Sequence, residues 1–153
     1  MLFRSPGSLR AISDHLPATD RTLVYGNVYW GNTGHIYGGR FSRFTLCQRN
    51  ICHQSIFFGR DVFALVGKYV LKYPAYGDWD FNMRCFGDRR IRTRYVRVAV
   101  SKYNPDGASS RGDPAFEADK LSLIRTHLGW LTLLRYRLHL RKKRWLAARH
   151  TTP

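Results

Sequence analysis

Between Asn50 and Phe86 the chain reads NICHQSIFFGRDVFALVGKYVLKYPAYGDWDFNMRCF, and the punctuation of this stretch limits what can be built around it. Ser55 to Phe58 is a short run of apolar and aromatic residues, which reads as a strand. Asp61 to Val66 reads as a short helix ended by Gly67. Pro74 and Gly77 mark a turn over Tyr73 to Gly77, which delivers Asp78 to the start of another helix that Gly87 ends. Short strands interleaved with short helices predict an α/β (mixed α+β) domain.

That second helix opens on Asp78-Trp79-Asp80-Phe81, which holds two of the ten acidic residues of a strongly basic chain. Carboxylates beside aromatics and positive charge are candidates for proton-transfer or metal chemistry, because such surroundings tune their pKa. The same residues have a structural reading, in which Asp78 caps the helix and Asp80 pairs with Arg84 four residues on. Pattern alone favours the structural reading.

Around this stretch the rest of the chain falls into place. Ser5-Pro6 reads as the start of a short helix toward His15, closed by Pro17. Thr22 to Trp30 is rich in β-branched and aromatic residues and reads as a strand. The turn cluster Gly31-Asn32-Thr33-Gly34 and a short strand at His35 to Tyr37 complete a hairpin. Arg40 to Asn50 has no clean period. Arg90 to Lys102 is strand-like, with Val96, Val98 and Val100 on one face turned to the core. Tyr103 to Pro114 is loop. From Glu117 to Arg149 the apolar residues Ile124, Leu128, Leu131, Leu134, Leu138 and Trp145 recur at helical spacing, interrupted at Gly129. The sequence thus divides into a domain over 1–116 and a basic amphipathic helical tail over 117–153.

A 153-residue chain with 44% hydrophobic and 14% aromatic residues can bury a core. Its 26 Lys and Arg against 10 Asp and Glu give a net charge of +16, which attracts nucleic acid, anionic lipid or nucleotide diphosphates alike. Cys47, Cys52 and Cys85 form no C-x-x-C pair and suit reduced thiols in a cytoplasmic protein. No common zinc spacing includes them. Arg4 and Pro6 interrupt the start, no apolar signal-peptide core follows, and no apolar run reaches membrane-spanning length.

Four motifs in order carry a resemblance: Leu23-Val24-Tyr25-Gly26-Asn27-Val28; His53-Gln54-Ser55-Ile56-Phe57-Phe58; Gly77-Asp78-Trp79-Asp80-Phe81-Asn82-Met83-Arg84; and Tyr103-Asn104-Pro105-Asp106-Gly107-Ala108-Ser109. Together they resemble the second half of family 2 glycosyltransferases, inverting enzymes of the GT-A fold that use nucleotide-sugar donors. The resemblance implies that Asp78 is the catalytic base. It implies that His53, Gln54, Trp79 and Asp80 lie on the acceptor side, and that Tyr103, Gly107 and Ser109 belong to a loop near the donor diphosphate. Gly77 stands where many members carry Glu, and Asp106 replaces the first glycine of the family's G-G pair.

The family's metal-binding D-x-D and its nucleotide-binding βαβ units precede the part resembled, so roughly a hundred residues of donor-binding structure are expected elsewhere. A divalent metal, Mg or Mn, is expected for the intact enzyme, with its D-x-D ligands outside this chain. Asp78-Trp79-Asp80 follows a turn instead of ending an apolar strand, which is not where the metal motif belongs. The expected partners are a nucleotide-sugar donor, a sugar or lipid-linked acceptor, and a separately encoded donor-binding half. The resemblance therefore predicts the acceptor-side portion of a transferase of polysaccharide or glycoconjugate synthesis, inactive on its own. Its expected place is the cytoplasm, peripheral on the inner face of the membrane through the basic tail. Two non-enzymatic alternatives stand beside it. One is a basic nucleic-acid-binding domain, although no recognised nucleic-acid motif accompanies the charge. The other is a membrane-surface accessory subunit whose amphipathic tail lies on anionic lipid.

Overall fold

The computed structural model describes residues 3–4, 7–13, 15, 20–104 and 111–150. Strand β1 spans Phe3–Arg4, β2 Thr22–Trp30, β3 Ile36–Tyr37, β4 Ile56–Phe58 and β5 Arg92–Tyr103. They form one mixed sheet with β2 as its spine. β5 runs parallel beside β2, and β1 lies antiparallel on the far side of β5. The other flank of β2 is shared. β4 pairs antiparallel with Leu23 to Tyr25, and β3 with Val28 and Tyr29 as the expected hairpin.

Helices pack on the sheet or on one another: α1 (Ser8–Ser13), α2 (Arg43–Gln48), α3 (Val62–Val66), α4 (Gly77–Gly87), α5 (Pro114–Leu123) and α6 (Trp130–His150). The first seven residues of β2 are all buried, as in a strand covered on both faces. Leu23 and Tyr25 face the main core, with Leu46, Phe81, Met83, Phe116 and Ile124. Val24 faces a smaller cluster with Ile12 of α1, Val96 and Val100. The valine face of β5 therefore packs, as its alternation predicts, but into this second cluster, with Val98 only partly buried.

The ladder between β2 and β5 slips around Asn27. There the backbone of Gly26 passes so close to β5 that a Cβ would lie 2.6 Å from both Val98 O and Val100 Cγ2. Only glycine fits that approach.

Two expectations change. The aperiodic Arg40 to Asn50 segment contains α2, a helix of six residues started by Ser42, whose hydroxyl accepts from the Thr45 amide at 3.0 Å. A turn and a half is too short to display a period, so the cap was its only signal. The second change concerns the tail. It breaks at Gly129 (φ +93°) as expected, after a π-helical turn over Ile124–Leu128. Ile124 and Leu128 are buried, but Leu131, Leu134, Leu138 and Trp145 are exposed. On α6 the docked residues are instead Leu133 and Tyr136, with Leu140 partly buried. The expected boundary at 116/117 falls inside α5, whose Phe116 belongs to the main core. The Ser5-Pro6 helix start lies outside the described residues.

Candidate active site

A cleft of about 570 Å³ opens between the β2–β3 hairpin, the segment from Gln48 to Gln54, and the start of α4. Asp78 stands in its wall, in the first turn of α4, with the side chain about a quarter exposed. The turn before it is locked from outside. Asp113 Oδ2 accepts from the amides of Ala75 and Tyr76, both at 3.0 Å, while its Oδ1 accepts from the Phe116 amide at 3.1 Å. One carboxylate thus starts α5 and fixes the approach to α4.

Asn50 Nδ2 donates to Asp78 Oδ2 at 3.0 Å, and His53 Nδ1 lies 3.9 Å from the same oxygen. Burial pushes the Asp78 carboxyl above the ordinary carboxylate value, opposed by the nearby His53, the Trp79 amide and the Asn50 side chain. A carboxylate so raised, yet open to the cleft, is suited to take a proton from a hydroxyl placed against it.

Asp78, His53, Gln54, Trp79 and Tyr103 all line this cleft, so most of the residues singled out in sequence converge. Gln54 Oε1 is buried without a hydrogen-bond partner. Trp79 is largely committed to the fold. Its indole N–H donates to Leu46 O at 2.7 Å, and its ring stacks on Phe116 at 5.1 Å with Lys120 Nζ 4.3 Å from its centroid. Asp80 is not brought into the cleft. It is 1% exposed and accepts from Arg84 Nε at 3.0 Å, with His127 Nε2 3.6 Å away. The i,i+4 pairing predicted as the structural reading is what holds it. Gly107 and Ser109 lie outside the described residues.

Because Asp78 faces the cleft and Asp80 is buried against Arg84, the D-x-D does not converge on a common point and does not fit a divalent metal. Among the described residues no group of three His, Cys, Asp or Glu side chains is placed to hold one. The three cysteines are free, and burial pushes Cys47 and Cys52 up to about 11 and Cys85 to about 12, which keeps them neutral thiols at physiological pH.

Sequence reasoning missed Asn50, Arg49 and the hairpin aromatics. Arg49 donates to Gly38 O at 2.8 Å and lies over the rings of Tyr37 and Phe41. Trp30 sits between Tyr37 and Tyr103, at centroid distances of 5.4 and 4.9 Å, and the three rings form one side of the cleft. No motif marked Asn50, Arg49, Trp30 or Tyr37. The strand pairing that puts Trp30 opposite Tyr103 and Tyr29 opposite Ile36 was the missing information.

With this geometry in hand, comparison with curated proteins finds PGL/p-HBAD biosynthesis glycosyltransferases of Mycobacterium tuberculosis and Mycobacterium bovis, 44% identical over 119 residues. The matched relatives are glycosyltransferases. The alignment covers 77% of this chain and 45% of each relative, so the chain spans less than half the length of the proteins it matches. No protein-family model matches the chain, and no solved structure does. Among the described residues no helix is long and apolar enough to cross a membrane.

Proposed function

We propose that this chain is the acceptor-side portion of an inverting family 2 glycosyltransferase of the GT-A fold, with Asp78 as its general base. The observation that carries the reading is the placement of Asp78. It opens a helix at the wall of the cleft, is oriented by Asn50, and is raised by burial. The homology to glycosyltransferases supplies the reaction class.

In such a transfer the acceptor oxygen attacks the anomeric carbon of a nucleotide sugar. Asp78 takes the hydroxyl proton as the new C–O bond forms. The bond from the anomeric carbon to the diphosphate oxygen breaks on the opposite side, and its electron pair leaves with the nucleotide diphosphate. Gln54, with an unpartnered amide oxygen, and His53 are placed to orient the acceptor's hydroxyls. The rings of Trp30, Tyr37 and Tyr103, Trp30 tilted 48° and 39° from the other two, offer its apolar face an aromatic wall, so Tyr103 serves the acceptor side in this reading. Among the described residues no group of three His, Cys, Asp or Glu side chains fits a divalent metal. The donor's nucleotide is assigned to the portion of the relatives that this chain does not span, and Gly107 and Ser109 to the loop near its diphosphate.

The test joins these 153 residues to the portion of the Mycobacterium tuberculosis relative that they do not span. Nucleotide-diphosphate release and acceptor modification are then measured for the parent and for Asp78→Asn. The expected loss is about 10²–10⁴-fold in rate with donor binding intact. Retention of more than half the parent's activity would remove Asp78 from this role.

A further inference from the structure

Helix α6 has two apolar faces, and the body of the protein uses one. At 100° per residue, the docked Leu133, Tyr136 and Leu140 lie together on one side. Leu131, Leu134, Leu138 and Trp145 follow one another at spacings of three, four and seven, and fall on the opposite side. They are 66, 47, 55 and 53% exposed, and Trp130, 65% exposed, stands at the edge of the same stripe. A helix needs one buried face to hold it to a domain. None of Leu131, Leu134, Leu138 and Trp145 belongs to either core cluster among the described residues, and the ring contact Trp145 makes is with Arg149 of the same helix, whose guanidinium carbon lies 3.9 Å from its centroid.

The end of the helix adds an independent observation. Every residue from Arg141 to Arg149 is exposed, including Trp145 and Leu146. An isolated helical end of this length is marginal in water, and packing against something normally sustains it. Whatever covers it has to accept a uniform charge. Arg135, Arg137, Arg141, Lys142, Lys143, Arg144 and Arg149 all lie on α6, and the helix contains no Asp or Glu. Around the helix, Arg137 and Arg141 border the apolar stripe on one side and Lys142 on the other.

We infer that the outer face of α6 lies in the plane of an anionic membrane surface, with Leu131, Leu134, Leu138 and Trp145 entering the acyl boundary and the flanking cations meeting lipid phosphates. Leucine and tryptophan on one side, bordered by Arg and Lys, match the chemistry of an interfacial helix. A second copy of this chain is a poor occupant, because it would bring another +16 against the same cations. A nucleic acid would satisfy the cations and leave the leucine stripe in water. The inference does not depend on the reaction assigned to Asp78, and its test requires no turnover.

The experiment is co-sedimentation of the 153-residue chain with vesicles of neutral phosphatidylcholine, and with vesicles containing phosphatidylglycerol, over a range of salt. Two variants accompany it: Leu131→Ser with Leu134→Ser and Leu138→Ser, and Arg141, Lys142, Lys143 and Arg144 all changed to Gln. These side chains are exposed, so circular dichroism should show both variants folded. The parent is expected to bind anionic vesicles and not neutral ones, with the fluorescence of its tryptophans shifted to the blue. The stripe variant should lose about tenfold for each leucine that is fully buried in lipid. The charge variant should lose about fivefold for each removed cation that borders the stripe, Arg141 and Lys142 by their positions around the helix. Full binding by the stripe variant would overturn the inference, leaving unspecific attraction of charge. A dimer in solution that the stripe variant abolishes would assign the face to a second copy. Tighter binding to a DNA duplex than to vesicles, unaffected by the stripe variant, would assign it to nucleic acid. Loss of vesicle binding once the remaining portion of a relative is joined to the chain would show that the longer protein covers the stripe itself.

Discussion

Asn50 donates a side-chain N–H to Asp78 Oδ2 across 3.0 Å while its own Oδ1 accepts from Asn82 Nδ2 and the Ile51 amide, each at 2.9 Å. One amide therefore ties the loop after α2 to two successive turns of α4 and points the carboxylate into the cleft. Asn50→Ala removes one of the interactions that oppose burial, so the Asp78 carboxyl should titrate higher still. Asn50→Asp should raise it further by placing a second carboxylate beside the first. Carboxyl-carbon NMR titration of the assigned Asp78 resonance reads this order directly. An unchanged titration in both variants would reduce Asn50 to a loop fastener.

Two residues along the helix, Asp80 and Arg84 form a different kind of pair. Arg84 donates to Asp80 and also to the carbonyls of Val66 and Lys68, which fastens the end of α3 to α4. Asp80→Asn leaves a largely buried guanidinium without its counter-charge and should cost about 3–5 kcal/mol. Replacing both partners by apolar residues, Asp80→Leu with Arg84→Met, should cost less than either charge removed alone. Urea midpoints of Asp80→Asn, of Arg84→Met and of the double variant decide the matter. A double variant as unstable as Arg84→Met alone, with Asp80→Asn close to the parent, would mean that the carbonyl bonds dominate.

The contrast between these neighbours marks how much the sequence could convey. Asp80–Arg84 was legible as an i,i+4 pair because helical spacing alone brings such residues together. The spine strand Thr22–Trp30, the break at Gly129 and the Gly67 stop were legible for the same reason, being local. Asn50 was not, since its contact with Asp78 spans 28 positions and depends on how the loop after α2 folds back on α4. The Trp30–Tyr37–Tyr103 wall was hidden likewise, because strand register decides which rings meet. On α6 the period was read correctly and the face was not. Two apolar stripes share one helix, and only the rest of the fold selects the one that docks.

Asp113 gives the fold a dependence on pH. Burial works to raise its carboxyl, but the backbone N–H groups of Phe116, Ala75, Tyr76 and Ala115 outweigh it and hold the group below the ordinary 3.8. A carboxyl depressed in the folded state stabilises above its unfolded value and loses that contribution as pH falls through the folded one. Asp113→Ala should therefore cost about 1–3 kcal/mol at neutral pH. The gap to the parent should close below pH 3.8. Thermal midpoints across that range are the measurement, and a gap that persists in acid would place the cost in packing instead.

Asp78 should behave in the opposite way. Its carboxyl is raised in the folded protein, first by burial. The ionised form is therefore held less well by the fold than by the unfolded chain. The sign follows from linkage: the penalty is complete above the folded pKa and disappears below the ordinary value of 3.8, where both states are protonated. Asp78→Asn removes the charge while keeping the shape and an oxygen to accept from Asn50. At pH 7 this variant should unfold at higher urea than the parent, and its advantage should vanish as the solution is acidified past that range. Joined to the remaining portion of the Mycobacterium tuberculosis relative, the chain should lose the transfer proposed for it with the same substitution. A variant that is both less stable and inactive at pH 7 would show Asp78 supporting the helix start. Greater stability with activity lost would show a carboxylate maintained at a cost to the fold.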